Sequence, residues 1–224
     1  MIEKVVQRGD AQVRYFQKGE NPVWLMYSGT HGDEAGVALS IERYLAENAE
    51  RLPDFLWVPH VSPSAVAAKV RHNARGLDTN RNFLDDSTEE EIVANLQIVH
   101  GKSFEYFLDF HEDEHRKEFY VYDSLGVRDG FIEALLQAQH AIGFDVWHGL
   151  DDDTDSALGN MVNHGYVDAS NYNETSGFSV DYMLTKGIVK QRAWTFETPG
   201  LVTQEEKDKI VNNIFKTLLD IFYI

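Results

Sequence analysis

Cysteine is absent from this chain of 224 residues. Its absence excludes disulfide bonds, thiolate metal ligands and a cysteine nucleophile. A metal ion bound by this protein would therefore need ligands from histidine, aspartate or glutamate side chains.

Lysine and arginine are scarce. The sequence has 20 of them against 37 aspartates and glutamates, which gives a formal net charge of −17 at pH 7. Nucleic acids and anionic membrane surfaces are bound by clustered cations, so neither is an expected partner. Arg71, Arg75 and Arg81 form a local basic cluster that is unusual on this acidic background and indicates a specific role.

Long apolar runs are also missing. No stretch approaches the roughly 20 apolar residues that cross a bilayer, and the first residues lack the apolar core of a signal peptide. We therefore expect a soluble, cytoplasmic protein. The length and the 43% hydrophobic content suit a single domain covering residues 1–224.

Predicted strands and helices alternate along most of the chain. Apolar runs predict strands at residues 2–7, 11–17, 23–28, 55–61, 104–110, 118–122 and 192–196, the first two as an antiparallel pair. Helical spacing of apolar residues predicts helices at residues 35–52, 89–100, 131–142 and 204–222. Residues 62–86 and 151–177 show no clear period and are predicted to be irregular. The alternation is typical of an α/β fold, here a doubly wound, mixed and mainly parallel sheet flanked by helices.

Three of the predicted strands end in residues that could do chemistry. His31 and Glu34 come after the third predicted strand, His111 after the fifth and Glu197 after the last. Ligands of parallel α/β sheets bind outside the carboxyl ends of the strands. We therefore expect these side chains to converge, and two imidazoles with a carboxylate can hold a catalytic metal ion.

Four motifs, in this order, resemble those of the zinc carboxypeptidase family. They are HGDE at residues 31–34, RHNARGLDTNRNF at 71–83, DFH at 109–111 and TFE at 195–197. The family includes carboxypeptidase A and the murein peptide amidases and, more distantly, succinylglutamate desuccinylase and aspartoacylase. The resemblance extends from about residue 23 to residue 200. It implies a doubly wound sheet, one catalytic zinc ion and hydrolysis of an amide bond adjacent to a free carboxylate.

The resemblance assigns the metal ligands residue by residue. His31, Glu34 and His111 are similar to the zinc ligands of the family. Asp78 is similar to the carboxylate that orients the first ligand histidine, which fixes the tautomer of that ring.

The resemblance also implies the catalytic and binding roles. Glu197 would act as general base and acid between the attacking water and the leaving amine. Arg71 would stabilise the oxyanion of the tetrahedral intermediate, although Arg75 could serve instead and the sequence does not decide between them. Asn80 and Arg81 would hold the terminal carboxylate of the substrate.

Two further residues resemble parts of the carboxypeptidase substrate pocket. Tyr172 is similar to the mobile tyrosine that closes over the substrate. Val180, within residues 177–181, is similar to a residue near the floor of the specificity pocket. A valine at that place would argue against a basic side chain in the substrate.

A competing motif overlaps the second histidine. Residues 111–115 read H-E-x-x-H, which on a helix would bind zinc through His111 and His115 and use Glu112 as the base. The flanking segments are strand-like, so we expect His115 to lie on the rim of the site instead.

We therefore expect a zinc-dependent, metallocarboxypeptidase-like hydrolase that acts on a small peptide. The first alternative is an N-acyl amino acid deacylase of the desuccinylase and aspartoacylase type, which would use the same site on an acylated amino acid. The alternative from another class is a catalytically silent metal- or peptide-binding module. That alternative would be favoured only if Glu197 pointed away from the metal site.

Overall fold

The computed structural model describes residues 1–152 and 158–223. Within them the strands are β1 (Ile2–Arg8), β2 (Ala11–Lys18), β3 (Trp24–Tyr27), β4 (Phe55–Val58), β5 (Phe104–Asp113), β6 (Tyr120–Asp123), β7 (Gly149–Leu150), β8 (Met161–Val162), β9 (Tyr166–Asp168) and β10 (Val189–Pro199). The helices are α1 (Gly36–Asn48), α2 (Pro63–Ala68), α3 (Glu90–Val99), α4 (Gly130–Ala141), α5 (Ser179–Thr185) and α6 (Gln204–Phe222), with short 3₁₀ helices at Ala49–Arg51 and Thr79–Arg81.

Eight of the described strands form one sheet, in the order β1-β2-β4-β3-β5-β10-β6-β9. The four central strands, β4, β3, β5 and β10, are parallel to one another. The pairings of β1 with β2, β2 with β4 and β6 with β10 are antiparallel. The predicted fold class, α/β with a mixed and mainly parallel sheet, is confirmed, and so is the antiparallel pair at the start of the chain.

The side chains of β3 show how the sheet is covered on both faces. Trp24 and Met26 pack into a cluster with α1, α4 and α6. Leu25 and Tyr27 pack into a second cluster with α3 and α5. Alternate side chains of a strand point to opposite faces, so a strand buried on both faces reads as one continuous apolar run. The doubly wound arrangement follows from this double burial.

Helix α6 has a strong start signal in the sequence. The Thr203 hydroxyl accepts a hydrogen bond from the Glu206 backbone N–H, and the Glu206 carboxylate accepts one from the Thr203 N–H. This capping box satisfies two backbone donors that the helix cannot satisfy itself. Ile210, Ile214 and Phe215 then bury one face of the helix, each contributing about 1.5–3 kcal/mol of hydrophobic stabilisation.

Two segments predicted to be irregular contain regular elements. Residues 62–86 include α2, which has six residues and is too short to produce a clear helical period. Residues 151–177 include β8 and β9, which have two and three residues, while residues 153–157 of this segment lie outside the described residues.

Among the described residues, no helix combines the length and the apolar character needed to cross a bilayer.

Candidate active site

His31, Glu34 and His111 meet at the carboxyl edge of the central strands. His31 Nδ1 lies 2.6 Å from Glu34 Oε1, and His111 Nδ1 lies 2.7 Å from Glu34 Oε2. All three residues are buried, and their ligand atoms lie within 4.8 Å of one another. We call these three residues the ligand group. Their geometry could hold a metal ion, as two imidazoles and a carboxylate do in catalytic sites.

The charges within the ligand group are strongly coupled. Burial opposes ionisation of Glu34, but the positive charges of His31 and His111 outweigh it and hold the pKa of Glu34 well below its usual range. Burial also opposes protonation of His111, yet the carboxylates of Asp109 and Glu34 raise its pKa well above the ordinary value. A metal ion would therefore compete with protons for these imidazoles.

The turn that carries His31 depends on two glycines. Gly29 has a φ of +58°, a left-handed conformation that favours glycine. A Cβ atom at Gly32 would lie 1.9 Å from the Ala65 carbonyl oxygen of α2. The backbone of this turn is therefore packed directly against α2, which fixes the direction of the His31 side chain.

Asp78 joins several parts of the site. Its Oδ1 lies 3.0 Å from His31 Nε2 and accepts a hydrogen bond of 2.9 Å from the Asn80 N–H. Its Oδ2 accepts hydrogen bonds of 3.1 and 2.9 Å from Nε and Nη2 of Arg71. Burial opposes ionisation, but His31, Arg71 and Arg81 together hold the pKa of Asp78 well below its usual range. Asp78 therefore contacts both His31 and Arg71, and the orienting role that the resemblance implies for it remains a prediction.

Asp109 faces Nε2 of His111. His111 Nε2 and Asp109 Oδ1 are 3.5 Å apart, and neither atom has a closer hydrogen-bond partner among the described residues. The other oxygen of Asp109 accepts a hydrogen bond from Ser179 Oγ at 2.6 Å. In both histidines Nδ1 faces Glu34 while Nε2 faces another carboxylate, which is the arrangement that directs Nδ1 toward a metal ion. The donor set therefore fits a bound metal.

Glu197 lies on β10 directly beside His111 of β5 in the parallel register. Its side chain lines the same cavity as the ligand group. Burial, together with the nearby carboxylates of Glu34 and Asp113, raises the pKa of Glu197 to about 8, although the positive charge of His111 opposes this shift. Glu197 therefore points toward the ligand group, whereas a silent binding module would be favoured only if it pointed away.

The cavity has a volume of about 920 Å³. Arg71, Asn80, Arg81 and Val180 line it together with the ligand group and Glu197. Arg71 Nη1 lies 3.5 Å from Glu34 Oε1. The cavity thus brings these four residues together with the ligand group, while the roles that the resemblance implies for them remain predictions.

Two of the predicted catalytic and substrate-binding residues, Arg75 and Tyr172, do not line this cavity. Arg75 binds the carboxylate of Glu90 at 2.9 Å and lies 3.6 Å from that of Glu89. The structure therefore places Arg71, and not Arg75, beside the ligand group. Tyr172 is 45% exposed and lies outside the cavity wall, although its neighbour Asn171 belongs to that wall.

The H-E-x-x-H motif does not form a helical zinc site. Residues 111 and 112 belong to β5, which continues to Asp113, so the His111 and Glu112 side chains point to opposite faces of the sheet. Glu112 forms an ion pair with Lys207 of α6. The imidazole of His115 is 81% exposed and pairs only loosely with Glu114 at 3.5 Å. The expectation that His115 lies on the rim is confirmed, since it lines the cavity mouth.

Two tyrosines of the cavity wall were not among the residues predicted from the sequence. Tyr120 is the register partner of Glu197 across β6 and β10, and Tyr122 lies two residues along the same strand face. Their hydroxyls donate hydrogen bonds to Asp113 at 2.9 Å and to Asp151 at 2.5 Å. The Tyr-Val-Tyr alternation was a signal for one polar-tipped aromatic face, but only the sheet order shows that this face borders Glu197.

Comparison with known proteins gives a fold and no sequence family. No protein-family model matches this chain, and no curated protein matches it. A proposed metallopeptidase from Shewanella amazonensis SB2B has a TM-score of 0.76 and 21% identity, covering 97% of this chain and 85% of the other. A metallo-carboxypeptidase from Burkholderia cenocepacia has a TM-score of 0.67 and 19% identity, covering 97% of this chain and 64% of the other. The murein-tripeptide amidase MpaA from Escherichia coli O157 has a TM-score of 0.63 and 18% identity, covering 96% of this chain and 91% of the other.

At these identities the likeness concerns the fold, and that fold is the one implied by the four motifs of the sequence. The chain therefore has the fold of the zinc carboxypeptidase-like metallopeptidases.

Proposed function

We propose that this chain is a zinc-dependent, metallocarboxypeptidase-like hydrolase that cleaves an amide bond next to a free carboxylate in a small peptide. One observation supports this most directly. A single cavity is lined by the ligand group, by Glu197, and by Arg71 and Arg81.

The ligand group suits one zinc ion. His31 and His111 would bind it through nitrogen and Glu34 through oxygen, which leaves a position open, as hydrolytic zinc sites require. When bound, zinc would polarise the scissile carbonyl and lower the pKa of water.

Glu197 is the best candidate for proton transfer. It would accept a proton from the attacking water and give it to the leaving amine. A general base and acid is most effective when its pKa lies near the working pH, and burial raises the pKa of Glu197 toward that range.

Arg71 would stabilise the negative charge that develops on the carbonyl oxygen. A permanent cation held in place before the reaction stabilises such charge without reorganisation. Asp78 holds the Arg71 guanidinium through two of its nitrogens, so the cation is already aimed beside the ligand group.

Asn80 and Arg81 would hold the substrate carboxylate. Arg81 Nη1 donates a hydrogen bond of 2.9 Å to the Asn80 carbonyl, and its guanidinium lies 4.2 Å from the centre of the Phe178 ring. Both contacts restrict the guanidinium to one orientation, which favours bidentate recognition of a carboxylate. An acidic protein repels anions at long range, so capture would depend on such a local, well-aimed cation.

The test uses matched substrates with and without the free carboxylate. Zinc-loaded protein should cleave short peptides that end in a free carboxylate and should fail on the same peptides with that group amidated. Arg81→Ala should mainly raise KM for the free acid. Arg75→Ala is the matched control, because it removes an arginine of the same segment that lies outside the cavity, and it should leave KM unchanged.

The deacylase alternative would use the same residues, so the substrate panel includes N-acyl amino acids. Cleavage of these compounds in preference to peptides would favour the deacylase. Equal cleavage of amidated and free-acid substrates by the unaltered protein would contradict both assignments, because both depend on the carboxylate clamp.

A further inference from the structure

Glu112 is a buried carboxylate that the proposed reaction does not use. It follows His111 on β5, is 5% exposed, and forms an ion pair with Lys207 of α6, which is 9% exposed. Removing two charges from water costs several kcal/mol for each ion, so a buried pair is weak evidence for a gain in stability. The contacts of the Glu112 carboxylate indicate a different reason for its presence.

The Glu112 side chain caps helix α1. Its Oε1 accepts a hydrogen bond of 2.5 Å from the Val37 backbone N–H, in the first turn of that helix. The N-cap residue of α1, Ala35, makes no side-chain cap, and the first turn contains no acidic residue of its own. A carboxylate at a helix start satisfies a free N–H group and complements the helix dipole. Here that carboxylate comes from β5.

The backbone of residue 112 reaches the ligand group as well. The Glu112 N–H donates a hydrogen bond of 3.3 Å to Glu34 Oε2. Residue 112 therefore has three links to this part of the protein. It follows His111 in the chain, its backbone N–H binds the Glu34 carboxylate, and its side chain binds the helix that begins just after Glu34.

The sequence makes room for this contact. A Cβ atom on Gly36 would lie 2.9 Å from Glu112 Oε1 and 3.0 Å from Lys207 Nζ. Both distances are too short for an ordinary side chain without movement of the ion pair. Gln204 of α6 donates a hydrogen bond of 3.0 Å to the Gly36 carbonyl, so the first turns of α1 and α6 meet at this glycine.

We infer that Glu112, held by Lys207, is a positioning residue that sets the separation of Glu34 and His111. The inference rests on the proposed metal site. Residues that orient metal ligands without touching the metal typically change metal affinity by about 10–100-fold when they are removed.

The test compares zinc affinity with stability in the full chain. Glu112→Leu combined with Lys207→Met replaces the pair by apolar side chains of similar size, a change that often preserves or raises stability. The double variant should fold, with a thermal midpoint close to that of the unaltered metal-free protein. Its zinc dissociation constant, measured by competition with a chelator, should nevertheless rise about 10-fold or more.

Two further variants complete the test. Glu112→Gln combined with Lys207→Met keeps an oxygen for the Val37 N–H, so zinc affinity should stay within a few-fold of normal. Asp208→Asn is the matched control, because Asp208 also ties α6 to α1, through Ser40 and Arg43 at 2.7 Å each, without touching residue 112. It should lower the thermal midpoint and leave zinc affinity unchanged.

The outcomes separate the two proposals. Normal zinc affinity in the Leu/Met double variant would overturn the positioning role and leave the proposed function standing. Failure of the unaltered protein to bind zinc would overturn both. A loss of affinity in Asp208→Asn as large as in the Leu/Met variant would show that helix docking in general, and not Glu112, governs the site.

Discussion

Replacement of Asp78 by asparagine should disturb the whole site although it changes only one atom. Asp78 Oδ1 faces two groups, His31 Nε2 and the Asn80 N–H, while Oδ2 faces two nitrogens of Arg71. An asparagine has one acceptor oxygen and one donor NH₂ group. Whichever way the amide turns, its NH₂ group would face other donors, so one side of the network must break.

The expected magnitude follows from which side breaks. A hydrogen bond to a charged group contributes about 1.5–3 kcal/mol. We expect the lower end of this range for the pair of Arg71 and Asp78, because the Arg71 side chain is 38% exposed. Loss of the His31 contact should weaken zinc binding by about 10–100-fold. Release of Arg71 should lower kcat by on the order of 10²-fold even at saturating zinc, by analogy with other lost oxyanion donors.

The assay measures the two effects separately. Chelator competition gives the zinc affinity of Asp78→Asn, and steady-state kinetics at saturating zinc give kcat and KM for a free-acid peptide. Asp33→Asn is the matched control, since Asp33 is an exposed residue of the same cavity wall and loses the same charge. Zinc affinity and kcat in Asp78→Asn as close to normal as in Asp33→Asn would refute the reasoning.

Three further predictions concern the ligand group and its partners. His31→Ala should strip bound metal, measured by metal analysis, whereas His115→Ala should leave the content nearly unchanged; the reverse result would overturn the ligand assignment. Glu197→Gln should keep zinc and lower kcat by roughly 10²–10⁴-fold, and loss of metal or near-normal turnover would contradict its role. Because the folded protein raises the pKa values of His31, His111 and Glu197, it holds more protons than the unfolded chain near neutral pH. The thermal midpoint of metal-free protein should therefore fall as pH rises from about 6.5 to 8. Zinc affinity should rise over the same range, because the imidazoles must lose their protons to bind the metal. A thermal midpoint that rises instead would contradict the raised pKa values of His31, His111 and Glu197.

The sequence was most informative where one local pattern determined the outcome. The apolar strands before His31, His111 and Glu197 were each recognisable from a short window, and their parallel alignment brought the three residues to one edge. The helices at α1, α3, α4 and α6 were also predicted, because each carries an apolar stripe over ten or more residues.

The sequence was least informative where an outcome depended on partners distant in the chain. Arg71 and Arg75 have the same chemistry and lie four residues apart. Only the folded chain shows that Arg75 pairs with the carboxylates of Glu89 and Glu90 at the start of α3. The role of Glu112 was equally hidden, since its partners lie 75 and 95 residues away. Short elements such as α2 and β9 left no periodicity to detect.

The hydrophobic core and the candidate site depend on the same strand register. Phe110 and Phe196 are neighbours of His111 and Glu197 in the chain, and their rings pack 5.1 Å apart in the core with α1 and α6. Because side chains alternate along a strand, burying these two rings on one face places His111 and Glu197 together on the other. A slip of one residue between strand and core would exchange the two faces and put a phenylalanine in the cavity and a charged group in the core. The free energy gained by burying the aromatic rings therefore also holds the two polar residues of the site in place.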